Sequence, residues 1–143
     1  MDNALHLIKL CVGAEKVQDL IDWQHNPRAK GPDGLPRHVT RMWPKRESEL
    51  LNGGSLFWVF KGVVLCRQRI LRLDEVIRED GIRRCDIVLD PEVTRVEPIP
   101  KRPFQGWRYL TGEQAPRDLS SGGIANEDLP PKLIAALSEV GVR

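Results

Sequence analysis

Two short segments of the sequence place cationic and aromatic side chains close enough together to form a nucleic-acid surface. They are residues 41–46, RMWPKR, and residues 101–109, KRPFQGWRY. Such surfaces need cations for phosphates and flat side chains on which unpaired bases stack, each stack contributing about 1–3 kcal/mol. The candidate ligands of RNA or of a modified nucleobase are Arg41, Trp43, Lys45, Arg46, Lys61, Arg102, Gln105, Trp107 and Arg108.

These residues have different expected roles. The five cations Arg41, Lys45, Arg46, Lys61 and Arg102 are expected to meet phosphates. The aromatic rings of Trp43, Trp107 and Tyr109 are expected to stack bases, and Gln105 and Arg108 to hydrogen-bond a base edge. Whether the two tryptophans are exposed stays open. Trp43 lies in a strand whose pattern does not say which side is inside, and Trp107 follows Gly106 in an apparent loop, where it could equally plug a barrel mouth.

Few groups of residues in this sequence could form an enzyme active site. A base beside a hydroxyl is offered by His38 and Thr40, with Lys45 and Glu49 nearby, but a lone strand histidine is more often structural. No HExxH motif and no GxxxxGK[ST] or GxGxxG loop occurs. The sequence therefore favours a non-catalytic protein and predicts no cofactor and no metal site.

The charge of the chain is unevenly distributed. The formal net charge is +2, yet residues 37–73 contain eight basic groups against Glu47 and Glu49. A basic central region attracts polyanions even when the whole protein is nearly neutral. The alternative is that these cations keep an exposed strand face soluble and protect strand edges.

The sequence also bears on compartment. No apolar run approaches the roughly 20 residues that span a bilayer, and the first residues lack the basic and small-residue pattern of an export signal. Cys11, Cys66 and Cys85 lie in apolar stretches without metal-ligand spacing, which is typical of reduced structural thiols. We expect a cytoplasmic protein without membrane contact.

Hydrophobic periodicity predicts the elements that must position these residues. Three helices are expected, near residues 15–24, 44–52 and 129–140. Strands are expected at 5–12, 37–43, 55–61, 63–73, 82–89 and 92–99, whereas 101–110 reads as irregular. Residues 26–36 form a long, mobile loop rich in proline and glycine, and residues 120–126 form a flexible spacer.

The order of these elements indicates the fold class. The strands cluster between residues 37 and 99 and do not alternate regularly with helices. This pattern predicts a single α+β domain over residues 1–143, with a small, mostly antiparallel, strongly bent sheet or pseudo-barrel and about three packed helices.

Four motifs carry a resemblance that covers nearly the whole chain. They are HVTRMWPKR at 38–46, GGSLFWVFKG at 53–62, RQRIL at 67–71 and RPFQGWRYL at 102–110. Together they resemble a bacterial family of short proteins known only as a domain of unknown function, and this likeness implies no activity. A basic strand, a short helix ending in Gly-Gly and an aromatic hairpin are also similar, at the level of fold, to the PUA-like superfamily (PUA, ASCH and EVE domains), many of whose members bind RNA or modified nucleobases.

Three functional hypotheses follow from the sequence. The first is an RNA-binding or modified-nucleobase-binding domain. The second is a small hydrolase acting on a nucleoside-like substrate, with His38, Thr40, Lys45 and Glu49 as its candidates; some ASCH relatives hydrolyse acylated cytidine with Lys, Thr and Glu side chains, the types that Lys45, Thr40 and Glu49 offer. The third is a protein-interaction module whose exposed aromatic residues meet a partner.

Overall fold

A computed structural model describes residues 4–119 of the chain. Seven strands dominate it, with two helices and a 3-10 turn at Pro27–Ala29. In chain order the elements are β1 Leu5–Leu10, α1 Val17–Gln24, β2 Arg37–Thr40, α2 Glu47–Leu50, β3 Ser55–Phe60, β4 Val63–Ile77, β5 Arg83–Leu89, β6 Thr94–Pro100 and β7 Trp107–Thr111.

The seven strands form one mixed sheet. Its order is β2-β5-β4-β3-β1-β7, and β6 pairs with β4 outside this path. The β1–β3 pair is parallel and every other pair within the described residues is antiparallel. The long strand β4 pairs with β3 and β6 along its first half and with β5 along its second half. The predicted mostly antiparallel sheet is confirmed.

The sheet is strongly bent but is not closed into a barrel. Neighbouring strands lie about 4.8 Å apart, so β2 and β3, three positions apart in the order, would be roughly 14 Å apart in a flat sheet. Yet the rings of His38 on β2 and Trp58 on β3 meet edge to face, with centroids 5.3 Å apart. The sheet therefore folds over on itself, while β2 and β7 remain unpaired with each other. The closed pseudo-barrel alternative is wrong.

Apolar residues fill both faces of the sheet. The larger core lies on what we call the inner face, which α1 covers through Val17 and Leu20 and α2 covers through Leu50. The smaller core lies on the outer face, and Phe104 and Ala115 pack against it. Its buried residues are Ile8, Phe57, Val59, Val64, Val96 and Leu110.

The two described helices are shorter than predicted. Only two α-helices occur within residues 4–119, and the predicted helix at 129–140 and spacer at 120–126 lie outside the described residues. The second helix is one turn, Glu47–Leu50, because the backbone up to Arg46 is held by contacts with β7 described below. It ends at Leu50, before the predicted stop at Gly53, whose φ of +91° lies in the left-handed region.

Two other segments also differ from the prediction. Residues 107–111 form a strand rather than an irregular stretch, because β1 supplies backbone partners from Leu5↔Thr111 to Lys9↔Trp107. Residues 26–36, predicted to be a loop, contain the 3-10 turn and an isolated bridge between Lys30 and Pro36. Neither described helix is long and apolar enough to cross a membrane.

Candidate nucleic-acid interface

The first basic-aromatic segment, residues 41–46, joins the two edges of the bent sheet; we call it the crossing segment. It leaves β2 at one edge and reaches β7 at the other. The indole N–H of Trp107 donates a 2.9 Å hydrogen bond to the backbone oxygen of Met42. The phenol oxygen of Tyr109 accepts from the backbone N–H groups of Lys45 at 3.0 Å and Arg46 at 3.2 Å. The two segments singled out in the sequence thus contact each other directly.

The tryptophans of these segments serve mainly as framework. Trp107 lies in β7, is only 6% exposed and packs edge to face on Tyr109 with centroids 4.8 Å apart. The expectation that it lies in a loop is therefore wrong, and its buried ring has no open face for a base. Trp43 is half-buried against the inner-face core, and the guanidinium of Arg83 lies 4.2 Å from its ring centroid.

The second basic-aromatic segment meets the β3–β4 turn at one end of the sheet. The N–H of Lys101 donates a 2.8 Å hydrogen bond to the backbone oxygen of Gly62. The strand register places the start of β7 at this same end, because β1 pairs Lys9 with both Trp58 and Trp107. We call this region the basic end; its exposed polar residues are Lys61, Lys101, Arg102, Gln105 and Arg108.

Lys61 adopts an unusual backbone conformation at the tip of this end. It and Gly62 form a two-residue hairpin turn in which both φ angles are positive, +48° and +85°. Turns of this kind strongly favour Asn-Gly or Gly-Gly, because a left-handed conformation is costly for most other residues. Within the described residues Lys61 is the one non-glycine residue with a positive φ. A lysine here is costly for the fold, which points to a use for its charge.

The predicted phosphate ligands are all exposed, and most have no acidic partner. Among residues 4–119, no ion pair involves Arg41, Lys45, Lys61 or Arg102. Arg46 instead forms a salt bridge with Glu49.

Arg108 is held by neutral groups. It donates to the backbone oxygen of Gln105 at 3.0 Å, and its guanidinium lies 5.5 Å from the ring centroid of Phe104. Its charge therefore remains uncompensated, and its plane is an available surface for stacking, since guanidinium planes stack on RNA bases.

The remaining cations of the basic stretch have a different environment. Arg37 contacts the carboxylates of Asp33 at 2.8 Å and Asp86 at 3.2 Å, and Arg67 contacts Asp118 at 2.7 Å. Arg72 is bonded to Asp33 and Asp74. These three arginines are therefore neutralised by carboxylates, and their role is mainly structural.

The four alternative catalytic candidates do not form one constellation. No hydrogen bond or ion pair within residues 4–119 joins His38, Thr40, Lys45 and Glu49 to one another. The Glu49 carboxylate is taken by Arg46, and Thr40 is buried. Burial, reinforced by the charge of Lys9, lowers the pKa of His38 to about 4, so its imidazole is neutral at pH 7.

Sequence reasoning missed a polar network on the inner face. Gln68 is fully buried, and its amide oxygen accepts from the indole N–H of Trp58 at 2.9 Å. The amides of Gln24 and Gln68 exchange hydrogen bonds of 2.8 and 2.6 Å, and Gln68 also donates to the backbone oxygen of Asp90. This network ties α1 to the sheet. A glutamine in the apolar alternation of β4 was the available signal.

Lys9 was also missed as a site residue. It follows Leu5 and Leu7 on the inner face of β1, where an apolar residue is expected, and it is only half-exposed. Burial lowers the pKa of its ammonium group.

Comparison with known proteins gives a family without an assigned activity. Residues 7–143 match a family described as a protein of unknown function, DUF1489. No curated protein and no solved structure matches the chain at a significant level.

Proposed function

The chain belongs to the DUF1489 family, whose function is unknown, and on that premise we propose that it binds single-stranded RNA across the crossing segment and the basic end. The observation that carries this proposal is the difference in pairing among the cations. The arginines of β2 and of the second half of β4 have carboxylate partners, whereas Arg41, Lys45, Lys61 and Arg102 have none within the described residues. Exposed cations without a partner can contact the phosphate backbone of a nucleic acid. Binding is then favoured because the counterions condensed on that backbone are released.

The geometry favours a particular mode of binding. The crossing segment is fixed by the Tyr109 hydroxyl and the Trp107 indole, so its exposed cations are presented on an ordered backbone. Pre-ordering reduces the entropy lost on binding. The arginine plane on Phe104 supplies a stacking surface in place of the buried Trp107 ring. The strand is therefore held mainly by its phosphates, with little preference for base sequence.

The test compares two triple variants that each remove three positive charges. The first combines Arg41→Gln, Lys61→Asn and Arg102→Gln, all of them cations without an ion pair. The second combines Arg72→Gln, Arg84→Gln and Arg117→Gln, all of them ion-paired. Fluorescence anisotropy with a labelled single-stranded RNA is measured at several salt concentrations, and a DNA of the same sequence and an RNA duplex are run in parallel.

The expected result separates the two variants. The first should lose affinity at least tenfold, and the slope of log K against log salt should fall by about 0.7 for each phosphate contact removed. The control should bind much like the wild-type protein. Equal losses in both variants would mean that only net charge matters, and binding that ignores salt would favour a protein-interaction module instead.

A further inference from the structure

A half-buried lysine on the inner face, Lys9, is flanked in the strand register by aromatic rather than acidic residues. Lys9 lies directly opposite Trp58 on β3 and Trp107 on β7, so its side chain emerges between two buried indoles. No carboxylate within residues 4–119 lies within ion-pair distance of it. A partly desolvated charge without a counterion is costly for the fold.

Arg37 shows how this fold otherwise accommodates such a charge. Its side chain is 15% exposed, and three carboxylates surround it, those of Asp33, Asp74 and Asp86. Lys9 is also partly buried, yet within residues 4–119 it forms no ion pair with a carboxylate. Its charge is thus available to an anion from outside the described residues.

The groups around Lys9 are neutral at physiological pH. His38 packs its ring on Trp58, and burial together with the charge of Lys9 lowers the pKa of the imidazole to about 4. Cys11 follows Lys9 by two residues on the same strand side, and burial raises the pKa of its thiol to about 12, so it is not a thiolate. A neutral imidazole carries one N–H donor and adds no competing charge.

We propose that Lys9 and His38 form a binding site for a single phosphate group, with the Lys9 ammonium supplying the charge and the His38 imidazole an N–H donor. Lys9 keeps solvent contact, so an anion can reach it. At neutral pH a phosphate monoester carries a charge of about −1.5 to −2, so it gains more from a partly desolvated cation than a monovalent anion such as acetate does. The group belongs either to the end of a nucleic-acid strand or to a small phosphorylated molecule.

This inference does not depend on the proposed RNA surface. Lys9 lies on the inner face and is not among the exposed cations altered in the triple variants. The site would persist if those variants left RNA binding unchanged, and the RNA surface would persist if Lys9 bound no phosphate.

The first test measures how fast an amine-reactive acylating reagent labels each lysine of the wild-type protein, read by peptide mass spectrometry. Inorganic phosphate is added at constant ionic strength, with acetate as the comparison anion. At about ten times its Kd, phosphate should slow labelling of Lys9 roughly tenfold, because only the unoccupied fraction reacts. Lys16, which is exposed and lies outside the proposed RNA surface, should react at an unchanged rate. Unchanged labelling of Lys9 would overturn the proposal.

The second test uses variants and thermal unfolding. Lys9→Met keeps the length of the side chain and removes its charge, and Lys16→Met, at an exposed lysine outside the proposed RNA surface, is the matched control. Phosphate should raise the Tm of the wild-type and Lys16→Met proteins but not that of Lys9→Met. The same rise in all three would overturn the proposal. If Lys9→Met does not fold, the labelling result on the wild-type protein decides.

Two further arms identify the source of the phosphate. A short RNA with a 5′-phosphate and the same RNA with a 5′-hydroxyl are compared in the labelling assay. Stronger protection of Lys9 by the phosphorylated strand assigns the site to a strand end. Protection by a nucleoside monophosphate, with the two strands alike, assigns it to a small phosphorylated molecule.

Discussion

The cations in the two halves of the bent sheet differ in whether they have carboxylate partners. Where β2, β5 and the second half of β4 meet, arginines are matched with carboxylates, as Arg37 is with Asp86 and Arg84 with Asp80. At the basic end and along the crossing segment, exposed cations other than Arg46, which pairs with Glu49, have no such partners within the described residues. Both regions look alike in a count of cations. What distinguishes them is the neighbour of each cation, and that neighbour indicates whether the charge serves the fold or a ligand.

The strongest test of this comparison removes a carboxylate from the paired region. Asp86 has a side chain only 7% exposed and contacts Arg37 at 3.2 Å. Asp86→Ala should lower the free energy of unfolding by about 3 kcal/mol, the lower end for breaking a buried pair, because Asp33 and Asp74 stay beside Arg37. Chemical denaturation measures it. Arg102→Gln, at the basic end, should stay within about 0.5 kcal/mol of wild type, and similar losses in both variants would erase the distinction.

The pH dependence of stability distinguishes the effect of the buried His38 from that of the ion-paired carboxylates. The pKa of His38 is held at about 4 by burial, against about 6.5 when unfolded. Below pH 6.5 the unfolded chain gains a proton that the folded protein does not, so stability should fall by about 1–3 kcal/mol as pH drops from 6.5 to 4. In the His38→Phe variant, stability should change much less between pH 6.5 and 4.

The carboxylates of the paired region affect stability in a lower pH range. Hydrogen bonds from Arg72 lower the pKa of Asp33 to about 2, and those from Arg84 do the same for Asp80. Their stabilising effect is present above pH 3.8 and is lost as pH falls towards 2.

For the His38 prediction, denaturation midpoints that stay constant between pH 6.5 and 4 would contradict the assignment of the pH dependence to His38.

The smallest expected effect concerns the turn at the basic end, where stability and binding should change in opposite directions. Lys61→Asn places a residue suited to the left-handed conformation beside Gly62, and should raise the free energy of unfolding by up to about 1 kcal/mol. It also removes one uncompensated cation and should weaken RNA binding a few-fold. Denaturation and anisotropy on the same variant measure both. Unchanged RNA affinity would remove Lys61 from the proposed surface.

The sequence revealed local features and missed distant ones. Strand alternation and turn chemistry predicted the β3–β4 hairpin, and six of the seven strands were placed near their observed positions. Trp107 was misplaced because its burial depends on β1, about 100 residues earlier in the chain, and no local periodicity reports such a partner. The proximity of Lys9 to His38 was hidden for the same reason, since it arises only when β2 folds over β3. Within residues 4–119, the lack of carboxylate partners around Lys61 and Arg102 likewise follows from tertiary placement.

The position of β1 has a consequence for how the protein is made. β1 leaves the ribosome before the other described strands, yet it lies between β3 and β7 in the finished sheet, and β7 begins at Trp107. At about 5–20 residues per second, the nascent chain carries this apolar strand for several seconds before its second neighbour is synthesised. During that interval one edge of β1 can pair with another chain. Chaperones that bind the nascent chain should therefore act mainly on β1.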